Sequence, residues 1–159
     1  MEQKKIANGL KAFSIAVAVV GALFFFWYVP ALIEEMAVMN PEAAGLRWPG
    51  TIGVWVIALL CYLALWEFWN ICTRIGNDNS FCMENARSMK HIGLLAFLAA
   101  LLMFGAGIFL ACINCLGAAE LLVEFFLIFV ACGIGVVCAA LSRLIRNAAE
   151  IKAENDLTI

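Results

Sequence analysis

The stretch Ile92–Ala119, "IGLLAFLAALLMFGAGIFLACINCLGAA", decides the fold. It holds no charged residue, and it exceeds the about 17–25 residues a helix needs to cross about 30 Å of hydrocarbon. Its apolar positions show little one-sided periodicity, as expected of a helix surrounded by lipid and other helices. Outward from it lie three similar uncharged blocks, Ala12–Val29, Gly50–Trp66 and Phe125–Ser142. The composition agrees. Of 159 residues, 65% are hydrophobic and 14% charged, with a mean hydropathy of +0.99. A soluble domain is about 45–50% apolar and about 25% charged.

The first block follows Lys4, Lys5 and Lys11, as a signal peptide's apolar segment would. Phe24, Phe25, Phe26, Trp27 and Tyr28 stand where small residues should mark a cleavage site, so it reads as a retained span. The expected fold is an all-α membrane protein, an antiparallel four-helix transmembrane bundle in one domain, residues 1–159. The spans are placed at about 10–30, 50–73, 90–115 and 120–146, with a short helical tail at 147–159.

Orientation follows from charge segregation. Lys4, Lys5, Lys11, Arg74, Arg87, Lys90, Arg143, Arg146 and Lys152 fall on one side if the spans alternate. Of the ten Lys and Arg residues only Arg47 falls on the other, with Glu34, Glu35, Glu42, Glu120 and Glu124. The positive-inside rule places both termini and the middle loop in the cytoplasm.

Small residues four apart mark candidate packing seams: Ser14, Ala18 and Ala22; Ala96 and Ala100; Ala131, Gly135 and Ala139. They serve close helix approach within the bundle or in a homo-oligomer, and packing within the bundle is the simpler use. Trp48, Trp55, Tyr62 and Trp69 recur every seven residues, nearly two helical turns. Trp55, Tyr62, Trp66 and Glu67 are the candidate lining of a cleft for a lipid or hydrophobic ligand. The plainer alternative is a stripe that faces lipid or fills the bundle.

Among the seven cysteines, "CINC" (Cys112–Cys115) is the one redox or half-zinc pattern. The outer segment Pro30–Pro49 has no cysteine to complete a thiol relay, and His91, the single histidine, belongs to the opposite side. The thiols are expected to be small apolar fillers. No nucleophile elbow or phosphate loop is present, and no acid or base lies at the middle of a span. Glu67 is nearest, at the cytoplasmic end of the second span, with Arg74 or Lys90 as expected counter-ions. No catalytic residue, metal site or cofactor is assigned.

The polar residues concentrate in the middle loop, "RIGNDNSFCMENARSMKHIG" (Arg74–Gly93). Asn79 or Ser80 is the expected cap of the third span's helix. Gly76, Asn79, Phe81, Glu84 and Asn85 resemble the loop element of a bacterial four-span membrane family of unknown function (domain of unknown function 2975). The terminal "ENDLTI", Glu154–Ile159, resembles that family's C-terminal signature. Ser80 and Cys82 stand where proline and serine are expected, which leaves the cap open.

Members are often encoded beside a small Cro-type helix-turn-helix regulator, so the resemblance implies a membrane partner or sequestering anchor for such a protein. It also implies the bacterial cytoplasmic membrane as location. The candidate partner-binding residues are Phe81, Glu84, Asn85, Arg87, Lys90, Glu154, Asn155, Asp156 and Leu157. The tail is expected to dock with its acids toward Arg87, Lys90 or a basic partner, and Leu157 and Ile159 near Phe81. Direct binding of nucleic acid is not expected. The competing class acts within the membrane: a transporter, a channel, an immunity-type protein or, least favoured, a thiol-redox enzyme.

Overall fold

The computed structural model describes residues 2–39 and 41–156. Helix α1 (Glu2–Leu23) passes through a π-turn at Phe24–Tyr28 into α2 (Val29–Met39), and a 3-10 stretch (Pro41–Leu46) leads to α3 (Arg47–Gly76). Helices α4 (Met83–Cys112) and α5 (Ala118–Asp156) complete the chain, with no strand among the described residues. Four helices are long and apolar enough to cross a membrane, the first being the continuous run Glu2–Met39. The all-α, four-span architecture is as expected.

The segment between the first two spans differs from the open loop expected over Pro30–Pro49, because the first helix runs on to Met39. Proline lacks an N–H, and its ring clashes with the carbonyl four residues earlier. The π-turn accommodates this: the Val29 N–H bonds to the Phe24 carbonyl, five residues back, and widens the turn before Pro30. The first helix is thereby longer than the membrane requires.

Two helices stop by the same device. At the end of α3, the Asp78 N–H bonds to the Ile75 carbonyl and the Asn79 N–H to the Arg74 carbonyl, each at 3.1 Å. At the end of α4, Asn114 bonds to Ala111 at 3.1 Å and Cys115 to Leu110 at 3.0 Å. Both are Schellman closures, with Asp78 (φ 58°) and Asn114 (φ 55°) in the left-handed position. Asp and Asn tolerate that conformation better than other non-glycine residues. Helix α4 starts at neither Asn79 nor Ser80: the residue before it is Cys82, and no side chain caps it. The Asn79 N–H closes α3, and the chain enters α4 through extended backbone at Cys82 (φ −134°, ψ 156°), only three residues later.

The spans are antiparallel and pack in chain order, α1 on α3, α3 on α4 and α4 on α5. Among the described residues no packing joins α1 to α4 or α5, so the row of helices is not closed on itself. The small-residue seams lie inside this row. Ser14 is buried, and the Tyr62 hydroxyl donates to the Ala18 carbonyl at 2.7 Å. A methyl at Gly93 would stand 3.1 Å from the Gly135 carbonyl oxygen, and one at Gly135 would strike the Phe97 ring at 2.8 Å. Ser142 Oγ donates to the Ala86 carbonyl at 2.6 Å across the same crossing. Interhelical hydrogen bonds in membranes average only about 0.6 kcal/mol, so close backbone approach holds these helices more than the two bonds do.

Candidate functional site

Polar side chains gather at the end of the molecule that carries both termini and the α3–α4 turn. Asn85, 1% exposed, is its centre. Its amide donates to the Ser80 carbonyl at 2.8 Å and the Asn79 carbonyl at 3.4 Å, while its oxygen accepts from Arg74 Nη1 at 3.2 Å. Arg74 Nη1 also donates to Ser88 Oγ, at 3.0 Å. Asn85 and Ser88 are three apart in α4 and therefore share a face, which turns toward the end of α3. The result is a staple across the turn. Gly76 permits α1 to close on it, since a methyl there would stand 3.2 Å from Ala7 Cβ.

This divides the loop residues into two groups. Asn85 is buried and structural. Phe81, 58% exposed, stands outside the staple, and Glu84, Arg87 and Lys90 are exposed on the first turns of α4. An apolar ring on a turn pinned from within is thus followed by an acid and two bases exposed along the start of α4. Ser88 was not singled out from the sequence, and Arg74 was expected to serve Glu67 rather than Asn85. The legible signal was the Asn85/Ser88 spacing, two uncharged polar residues three apart and so on one face of a helix start whose charged residues lie on another.

The aromatic residues of α3 do not form one cleft. Trp55 lies 6.2 Å from Phe26, ring to ring, while Tyr62 is committed to Ala18 on α1. Trp66 is 67% exposed, which in a bilayer means toward lipid. Glu67 pairs not with Arg74 or Lys90 but with His91, Oε1 to Nδ1 at 2.9 Å, because His91 lies opposite it on α4 while Arg74 is taken by Asn85 and Ser88. Trp69 takes Lys11 over its ring at 5.2 Å, a cation–π contact between α3 and α1.

A cavity of about 560 Å³ lies instead at the opposite end, between α2, α3 and the last turns of α4. It is lined by apolar side chains, including Ile33, Val54, Ile57 and Leu102, with Arg47 at its border. Glu124, one of the acids assigned to the outer side, is partly covered, and its carboxylate occupies the space that a side chain at Gly107 would need.

Helix α5 continues through Glu154 and Asn155 to Asp156, so any turn back begins beyond that point. Arg146 donates to Glu150 at 2.9 Å, an exposed i,i+4 pair. The placements expected for Leu157 and Ile159 lie outside the described residues. Cys112 and Cys115 are free thiols flanking the left-handed Asn114, so "CINC" is spelled by a helix stop. Among the described residues no three His, Cys, Asp or Glu side chains could hold a metal ion.

Four membrane-length helices with short connections define a four-span integral membrane protein. The chain belongs to the family described as "Protein of unknown function (DUF2975)", whose model matches residues 31–159. It is 28% identical over 134 residues to the uncharacterized membrane protein YoaS of Bacillus subtilis (strain 168), across 82% of this chain and 83% of that protein. No solved structure matches it.

Proposed function

We propose that the protein is a non-enzymatic component of the bacterial cytoplasmic membrane, with both termini inside, whose α3–α4 turn docks a soluble cytosolic protein. One observation carries this reading: Phe81 is exposed on a turn that the buried Asn85 holds in place. A rigid backbone lowers the entropy lost on binding, and an aromatic ring supplies a compact apolar anchor. Glu84, Arg87 and Lys90 follow it along α4 with exposed charge of both signs, and the helical tail adds Glu150 and Glu154 at the same end. The family resemblance makes a small Cro-type DNA-binding regulator the partner of choice. Its basic surface would meet the acids here in competition with DNA phosphates.

The test is a mild-detergent pull-down of the intact protein, compared with Phe81→Ala and with deletion of Glu154–Ile159. The docking reading expects a bound helix-turn-helix protein that is lost with Phe81→Ala and weakened by the deletion. Equal recovery from the intact protein and both variants would remove the turn and the tail from the interface. The cavity at the other end favours a second reading, in which the protein binds a lipid or another apolar molecule within the membrane.

A further inference from the structure

We infer that the cavity between α2, α3 and α4 is a binding site for one phospholipid of the adjacent leaflet, an acyl chain in the groove and the phosphate on Arg47. Two glycines border the open space of the groove. Gly50 and Gly53 form its floor on α3; a methyl at Gly53 meets nothing within 4 Å, and one at Gly50 comes no nearer than 3.9 Å to Ile33. Ile33 and Met36 of α2 make one wall, and Leu102 and Phe109 of α4 the other. Among the described residues no packing joins α2 to α4, so the groove stays open on the side away from α3, where the bilayer lies.

Its dimensions suit an acyl chain. From Arg47 to Ile57 the lining descends ten residues of α3, about 15 Å at 1.5 Å per residue. That is half of the about 30 Å hydrocarbon thickness, the depth of one leaflet. A volume of about 560 Å³ lies within the range of about 300–1,000 Å³ common to ligand pockets.

Charge selects the headgroup. Arg47 is the one basic residue at this end of the molecule, and it is among the residues that line the groove. Its Nη2 holds Glu34 Oε1 at 2.8 Å, with both side chains about half exposed. A pair so exposed is worth only about 0–1 kcal/mol. A guanidinium has five N–H donors, so a phosphate can share it with Glu34 or displace that carboxylate at little cost. The site is independent of the turn at the other end of the molecule.

The experiment places the full chain in nanodiscs that contain a phosphatidylglycerol with a diazirine near the acyl terminus, and maps crosslinks by mass spectrometry. A second probe, a diazirine fatty alcohol without phosphate, separates the chain from the headgroup. Labelling concentrated on Val54, Ile57 and Leu102 is expected, above that on the α5 residues Phe129 and Val136. Gly53→Leu fills open space and should lower the labelling about tenfold, while Gly53→Ala retains it. Arg47→Gln should weaken labelling by the phospholipid alone. Labelling spread evenly over all lipid-facing helices, or unchanged in Gly53→Leu with the melting temperature preserved, would overturn the site. Equal loss of both probes in Arg47→Gln would overturn the role given to the phosphate.

Discussion

Arg74, in the last turn of α3, donates to Oδ1 of Asn85, in the first turn of α4, at 3.2 Å. With the Arg74–Ser88 bond it ties the end of α3 to the start of α4 across the turn. Charge-assisted bonds contribute about 1.5–3 kcal/mol, and Asn85→Leu also strands the Asn79 and Ser80 carbonyls. We expect Asn85→Leu to destabilise the protein by about 2–4 kcal/mol, with faster amide exchange confined to 77–82. Phe81→Ala should leave both nearly unchanged. The comparison separates the internal staple from the surface that it supports.

Asn114 accounts for "CINC" by backbone conformation. A β-branched residue in the left-handed region loses about 1–2 kcal/mol, whereas glycine fits without penalty. Asn114→Val should therefore lower the unfolding midpoint and Asn114→Gly should not. Cys112→Ser and Cys115→Ser, singly or together, should leave both stability and partner retention intact. A tightly bound metal or quinone lost on either cysteine substitution would refute that expectation.

Gly135 tests whether the seam between α4 and α5 is tight. A methyl there meets Phe97 at 2.8 Å, and overpacking of this kind costs about 1–3 kcal/mol. Gly135→Ala should destabilise the protein, and Phe97→Leu should relieve much of that loss. A thermal-denaturation double-mutant cycle in detergent reads the coupling directly. Simple additivity would mean that the ring moves aside freely.

Topology is open to a direct check. Reporter labels at either terminus or near Asn79 should report cytoplasm, and one near Glu42 should report the outside. The expectation rests on the gathering of all basic residues but Arg47 at one end. A cytoplasmic signal from Glu42 would reverse it.

Span number, helical class and the division of charge between the two ends were all readable along the chain. The reason is that a bilayer demands about 20 consecutive apolar residues and internal pairing of every backbone group, both local properties. The seams at Ser14 and Gly135 were readable for a similar reason, because only small side chains permit close helix approach, whereas the part played by Gly93 emerged from the packing. The assignment of individual polar residues was not. Asn85 and Phe81 sit four positions apart in one loop element, yet one is sealed against Arg74 and the other faces outward. Glu67 found His91 rather than a basic residue nearer in expectation. The groove needed the end of α4 to meet α2 and α3, which lie far earlier in the chain, beside two glycines. Partner choice depends on helix rotation and register, which uniformly apolar spans leave open, and those are decided only when side chains on different helices compete for the same space.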